Sequence, residues 1–418
     1  MRKQNVKKTL VFAPACYNLA ETTRMLEIAK AVARNPRMRE TITIRFMSEG
    51  GEFEGLIRTE GFAVETIEPR VTQEKIARIA AVNDQEKIGA IYSWREILEK
   101  VRGDTAFLAA VKPAAVVTGS YVSIPLSCRV LSIPLVWTIQ STWLKAFFAS
   151  GAGVTDSIRS GVVKSVVDLA LLQAIRFWMW FGFIRPINRA ARHLGVKPFR
   201  PVFSYFDGDL VLVAEPKGFT DIALPAHHVY CGPLIARQPF EPPEQLKTVP
   251  RDLPLVYFAM GSSGVPEIVA SIIEGFAGKP YRVIAPVKRL IAQLPHVRVP
   301  YNVIVTDWVP ALEVNKMADI AVIHGGIGTV MTAALAGKPV VGVGMQPEQV
   351  ANLACLVRKG FAIRIRKTRN PSLKICLAID RLLADEDAKR RAIKFSQLMA
   401  KWDGPRVAAD LLLERYGN

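Results

Sequence analysis

The stretch that decides the fold runs from Thr306 to Ala362. It reads Trp308-Val309-Pro310, then Ala321-Val322-Ile323-His324-Gly325-Gly326-Ile327-Gly328-Thr329, then Gly337-Lys338-Pro339, and last Gly344-Met345-Gln346-Pro347-Glu348-Gln349 with Asn352. Ala321 to Ile323 is a short apolar run that reads as a buried strand, and Val330 to Ala336 reads as a helix. Gly325, Gly326 and Gly328 therefore fall on the turn between a strand and a helix, where a sheet opens toward a ligand.

A turn of this composition suits an anion. Glycine has no Cβ, so backbone amides can approach a phosphate closely, and the helix that follows adds its unpaired N–H groups and positive dipole end. Thr329 can cap that helix or donate its hydroxyl, and His324 can hydrogen-bond a second phosphate oxygen. The next strand, Val340 to Val343, leads to Glu348 and Gln349, which open another helix. A carboxylate beside an amide accepts and donates in fixed directions, as hydroxyl-rich groups require. Phosphate chemistry at one strand end and hydroxyl chemistry at the next suggest a phosphorylated sugar. Taken singly, each feature has a plainer reading: a glycine turn that packs tightly, and a histidine that is structural.

Taken together, the run resembles the donor-binding signature of the nucleotide-sugar glycosyltransferases of the GT-B type, the group of the UDP-glycosyl and glucuronosyl transferases and the macrolide glycosyltransferases. The resemblance implies an α/β protein of two facing Rossmann-like domains with parallel sheets and a cleft between them. It implies Trp308 and Val309 in the nucleobase region. His324, Gly328 and Thr329 meet the diphosphate, with Gly325 and Gly326 in the same turn, and Glu348, Gln349 and Asn352 lie on the sugar side. The sequence departs from the family at two positions. Ala311 stands where many members have glutamine, and Thr332 where plant-type members have the glutamate that holds the ribose hydroxyls. Members acting on dTDP-sugars often lack that glutamate, so UDP is the favoured nucleotide and dTDP the second.

The totals fit this frame. A chain of 418 residues with half its residues hydrophobic accommodates two domains and excludes a largely disordered protein. Its five cysteines form no CxxC pair and no metal spacing, which predicts a reducing, cytoplasmic setting without disulfides or zinc. A formal charge of +18 fits a nucleotide, an anionic membrane surface or nucleic acid. No arginine-rich tail or aromatic-basic repeat supports nucleic acid. The basic start, Met1 to Lys8, precedes an apolar run that stops at Ala15, too short for a spanning segment and better read as a first strand.

From there strands are expected at Thr9–Ala13, Thr41–Met47, Gly61–Ile67, Ala115–Thr118, Ile133–Trp137 and Leu210–Ala214, separated by helices that include Glu21–Arg34 and a charged region over Lys75–Arg102. In the resembling family the first helix start carries a Gly-His pair whose histidine is the general base. Here Ala20-Glu21 falls at that place, and no histidine precedes residue 193. Glu21 is the candidate base if its carboxyl is lifted by burial; otherwise it is a helix N-terminal residue placed by the dipole. Ser120, Tyr121, Gln140 and Trp143 follow strand ends and are acceptor-side candidates.

Val162 to Phe183 is strongly apolar and aromatic but interrupted by Lys164, Asp168, Gln173 and Arg176, which argues against a membrane-spanning helix. It reads either as helices covering the first sheet or as a surface for a membrane interface or a greasy acceptor, which would put the protein peripherally on the inner face of a membrane. Residues 238–252, rich in proline and charge, form the linker between a first domain at 1–237 and a second at 253–400. The second repeats the pattern with strands at Leu255–Phe258, Tyr281–Ala285, Val303–Val305 and Phe361–Ile365 besides the two above. Gly261 and Ser262 after its first strand are further diphosphate candidates. Residues 401–418 form a last helix that, by the resemblance, crosses back to the first domain.

The expected reaction is inverting transfer of a hexose-type sugar from a nucleotide-diphosphate sugar to a hydroxyl of a small-molecule or lipid acceptor, with Glu21 and His324 in the chemistry and no bound cofactor or metal. The rivals are a nucleotide-sugar epimerase of related fold and a catalytically reduced binding protein.

Overall fold

The computed structural model describes residues 7–83, 89–150, 162–236, 244–261, 264–294 and 296–417, the side chains of 162–165, 245 and 247 excepted. Two compact units emerge. One is built on a seven-stranded sheet and takes in the last helix, Gly404–Tyr416; the other is built on a six-stranded sheet and runs as far as Trp402.

The first sheet consists of β1 (Lys8–Ala13), β2 (Ile42–Ser48), β3 (Val64–Thr66), β4 (Ala115–Thr118), β5 (Leu135–Ile139), β6 (Leu210–Val213) and β7 (His228–Tyr230), in the order β3-β2-β1-β4-β5-β6-β7. The second consists of β8 (Leu255–Ala259), β9 (Arg282–Ala285), β10 (Val303–Val305), β11 (Ile320–Ile323), β12 (Val340–Gly342) and β13 (Ala362–Arg364), in the order β10-β9-β8-β11-β12-β13. Every pairing is parallel. The central strands are therefore apolar along their whole length. Leu10 to Ala13 and Ile320 to Ile323 are fully buried, because helices cover both faces of such a sheet.

Parallel strands all end on the same edge, and this places the candidate site residues. In each sheet two neighbouring strands send their chains in opposite directions, β1 and β4 in the first, β8 and β11 in the second. The gap at the carboxyl ends of such a pair is where open α/β sheets bind ligands.

The core of the first unit joins Leu10, Phe12, Met25, Ile28, Val32, Phe46 and Leu212 to Ala408, Ala409, Leu412 and Tyr416 of the last helix. That helix starts hard against the segment following β7: a Cβ on Gly404 would lie 2.3 Å from the Pro233 carbonyl oxygen.

Several expected boundaries shift. β5 begins at Leu135, not Ile133, because Pro134 has no N–H to give to a ladder. The Lys75–Arg102 region divides into the helices Gln73–Asn83 and Trp94–Val111; the second is started by a capping box in which Ser93 and Glu96 bond each other's backbone. Val162–Met179 is helical, passes through a π-helical turn at Trp180–Ile184, and continues as Arg185–His193. Of the residues expected as linker, 238–243 lie outside the described residues. Beyond them Leu246 and Val249 are buried, so the rest of the segment packs.

Candidate active site

In the second unit the site is built around one imidazole. His324 directly follows β11 and is only 6% exposed. Its Nδ1 lies 3.4 Å from the carbonyl oxygen of Ala259, the last residue of β8, so the ring bridges the two strands at the point where their chains diverge. Two glycines form its slot. A Cβ on Gly261, whose φ is +60°, would lie 2.6 Å from the ring Cε1, and a Cβ on Gly326 would lie 2.5 Å from Nε2. Burial pushes the imidazole down to about 4, against a smaller opposing effect of the Ala259 carbonyl. The ring is neutral at neutral pH and offers a hydrogen bond, not a charge.

The three glycines of the turn have different causes. Gly325, at φ +92°, is pressed against the helix Pro347–Arg358, and a Cβ there would lie 2.6 Å from the Gln349 carbonyl oxygen and 2.7 Å from Leu353 Cγ. Gly326 makes room for the imidazole. Gly328 alone is exposed, and a Cβ there would meet nothing within 4 Å. It sits in the first turn of the helix Ile327–Leu335, which has no side-chain cap on its N-terminus. Thr329 Oγ1 donates back to the Gly326 carbonyl at 2.8 Å, and Thr332 Oγ1 to the carbonyls of Gly328 and Thr329 at 3.0 and 3.1 Å. The open backbone amides of this first turn are what the turn presents to an anion.

The residues expected on the sugar side divide likewise. Asn352 is fully buried, and its Nδ2 donates to the Gly325 carbonyl at 3.1 Å. Gln349, 3% exposed, accepts the backbone N–H groups of Met345 and Gln346 at 2.9 and 3.3 Å and closes a capping box with Gln346. These two side chains build the turn. Glu348 is half-buried in the first turn of the same helix. Trp308, after β10, is 37% exposed, while Val309 beside it is buried. The Arg289 guanidinium lies 5.7 Å from the Trp308 ring centroid. Sequence reasoning missed Arg289: the pair Lys288-Arg289 follows β9, and no spacing along the chain connects that strand end to Trp308. Ser262 lies outside the described residues.

The first unit carries a counterpart at its own divergence point. Asn18 caps the helix Leu19–Arg34 by accepting the Glu21 N–H at 3.2 Å, which turns Glu21 inward over the end of β4. Glu21 is 1% exposed. A Cβ on Gly119 would lie 2.4 Å from Glu21 Oε1, so Gly119 is the seat of that carboxylate. Burial raises the Glu21 carboxyl above its usual range. The Arg24 guanidinium, 3.4 Å from Oε2, and the amides of Ser120 and Gly119 pull the other way. Oε1 makes no hydrogen bond of good geometry. Ser120 Oγ and Gln140 Oε1 are also buried without partners. Tyr121 is engaged with Asp104 at 3.1 Å, and Trp143 packs edge-on against Phe206. Sequence reasoning also missed Glu215, buried just after β6 and held by Ser141 and Thr220 hydroxyls at 2.6 Å. Among the described residues no cluster of histidine, cysteine and carboxylate side chains has the makings of a metal site.

With this geometry in hand, comparison with known proteins is informative. Residues 287–413 match the family described as "Erythromycin biosynthesis protein CIII-like, C-terminal domain". The chain is 24% identical over 316 residues to the PGL/p-HBAD biosynthesis rhamnosyltransferase of Mycobacterium bovis (strain BCG / Pasteur 1173P2), covering 75% of this chain and 70% of that one. Among solved structures, the glycotransferase of kitacinnamycin shares the fold with a TM-score of 0.70 at 18% identity, covering 98% of this chain and 99% of the other. The glycosyltransferase SsfS6 of Streptomyces sp. SF2575, complexed with thymidine diphosphate, does so with a TM-score of 0.63 at 15% identity, covering 97% and 99%. Two parallel sheets of this topology are the GT-B fold of these solved structures, and the matched family and the relatives support a glycosyltransferase.

Proposed function

We propose that the chain moves a hexose-type sugar from a nucleoside-diphosphate donor to a hydroxyl of a small-molecule or lipid acceptor, with inversion at the anomeric carbon. The observation that carries this reading is the uncapped first turn of the helix Ile327–Leu335, open at Gly328 and set beside the slot-held His324. A diphosphate laid on that turn meets backbone amides, a helix dipole and a neutral imidazole, which stabilise the charge that develops on the leaving group. Trp308 with Arg289 offers a flat, partly exposed surface for the base, and Glu348 a carboxylate for sugar hydroxyls.

The choice of nucleotide turns on Thr332. Its hydroxyl is spent on the carbonyls of its own helix, and the position holds no carboxylate for a ribose diol. This keeps dTDP open beside UDP, in keeping with the thymidine diphosphate complex of the structurally similar SsfS6. The rhamnosyltransferase relative makes a 6-deoxyhexose the first sugar to try.

In the proposed step the acceptor oxygen attacks the anomeric carbon as the bond to the diphosphate oxygen breaks, and the acceptor proton passes to a carboxylate. Single displacement inverts the centre. Glu21 is proposed as that base, since a carboxyl raised by burial holds a proton more strongly than an exposed one.

The test is product analysis by mass spectrometry with a panel of dTDP-, UDP- and GDP-sugars and hydroxylated acceptors. The reading expects a sugar-acceptor adduct, lost about a hundredfold or more in Glu21→Gln with nucleotide affinity retained, as for removal of a general base. Donor isomerisation without an adduct would indicate an epimerase, and no donor consumption at all would overturn the proposal.

A further inference from the structure

The long helical run of the first unit leaves an apolar face exposed. Val166–His193 is a continuous helix of 28 residues with a mean hydropathy of 1.4 over its most apolar window, yet that window is only 11% buried. Phe177 is 66% exposed and Trp178 56%, and Val166, Leu169 and Phe181 are exposed with them. A helix on the surface of a globular protein normally turns such residues inward.

The π-helical turn at Trp180–Ile184 explains what this face continues into. A π turn inserts about one residue into the helical repeat and so rotates everything after it by about 100°. That rotation returns Arg185, Arg189 and Arg192, spaced four and three apart, to the side that carries Phe177 and Phe181. The Arg185 guanidinium accordingly sits 5.9 Å from the Phe181 ring centroid. With Trp94 and His193 the three arginines line a pocket of about 530 Å³, in which Arg189 lies 4.6 Å over the Trp94 ring. Among the described residues none of the three has a carboxylate partner. Their backbone is anchored from below: Ile187, Asn188, Ala190 and Ala191 are buried, and Asn188 exchanges two hydrogen bonds with the backbone of Phe199 at 3.0 and 2.7 Å.

An apolar aromatic stripe that runs into arginines with no carboxylate partner among the described residues matches the layering of an anionic bilayer, acyl chains below and phosphates above. We propose that this face docks the chain on an anionic lipid bilayer: Phe177, Trp178 and Phe181 enter the headgroup boundary, and the Trp94 pocket takes lipid phosphates through Arg185, Arg189 and Arg192. The helix lies on the surface and does not cross it, since its second half packs into the first unit and Arg176 and Asp168 interrupt its first. The formal charge of +18 adds long-range attraction. The inference is independent of the donor and the acceptor.

The test is flotation of the full chain with phosphatidylcholine vesicles containing or lacking phosphatidylglycerol, at low and high salt. The chain should float with the anionic vesicles, fail to float with the neutral ones, and be released by high salt. Replacing Arg185, Arg189 and Arg192 together by Gln should weaken partitioning about a hundredfold, at roughly a factor of five per charge near the surface. Replacing Phe177, Trp178 and Phe181 together by Ser should abolish it. All six side chains are exposed, so far-UV circular dichroism and nucleotide affinity should stay unchanged and keep misfolding separate from loss of docking. Absence of flotation with anionic vesicles would overturn the proposal. So would equal flotation with neutral ones, or a dimer in sedimentation that the serine variant dissociates, which would make a second copy the partner.

Discussion

Glu21 and His324 are both buried at a strand divergence point, and burial acts on them with opposite sign because it always disfavours the charged form. For His324 the value falls from the usual 6.5 to about 4 in the folded chain. Its contribution to stability is therefore complete above pH 6.5 and is lost as the pH falls toward 4, about 3 kcal/mol in all at 1.4 kcal/mol per unit. For Glu21 the folded value is raised above 4.5, so its contribution is present in acid and is lost as the pH rises. Urea unfolding across pH 4 to 8 checks both signs. The stability difference between the native chain and His324→Gln should shrink on acidification, and Glu21→Gln should gain on the native chain as the pH rises.

At the scale of elements, the donor turn is held by the helix that follows the next strand. Asn352 ties Gly325, and Gln349 ties Met345 and Gln346, so two side chains that sequence reading assigned to the ligand also fix backbone. Asn352→Ala leaves the buried Gly325 carbonyl without this donor and should cost about 1–3 kcal/mol in urea unfolding. Nucleotide affinity should fall with it as the turn loosens. This division was not legible in the sequence. The motif His324-Gly325-Gly326-Ile327-Gly328-Thr329 announces a strand-to-helix turn through its glycines, but glycine is silent about whether its missing Cβ makes room for a ligand, an imidazole or a neighbouring helix. Only packing separates Gly328 from Gly325 and Gly326. The second sheet was readable throughout, because its strands are short apolar runs bounded by glycine and proline. In the first sheet β7, the three half-buried residues His228–Tyr230, has too little apolar contrast to announce itself.

At the scale of the whole molecule, the described residues form two units, and the chain returns to the first at its last helix. The last helix belongs to the core of the first unit, with Leu412 fully buried beside Ala408 and Ala409. Leu412→Ala should cost about 2–5 kcal/mol as a core truncation. Hydrogen exchange should show that loss in β1, β2 and β4 and leave β8, β9 and β11 protected. The architecture also repeats a local arrangement, since each sheet offers a divergence point that carries a buried titratable side chain seated on glycine, Glu21 on Gly119 and His324 on Gly261.

The central claim is that the turn at Gly328 receives the diphosphate of the donor, and calorimetric titration of dTDP and UDP into the native chain and into Gly328→Leu tests it most directly. A Cβ there meets nothing within 4 Å on an exposed helix position, and leucine is the better helix former by roughly 0.5–1 kcal/mol, so the variant should melt no lower than the native chain. The account predicts that it nevertheless binds both nucleotides at least about tenfold more weakly, a loss of about 1.4 kcal/mol. Native affinity in Gly328→Leu would contradict it.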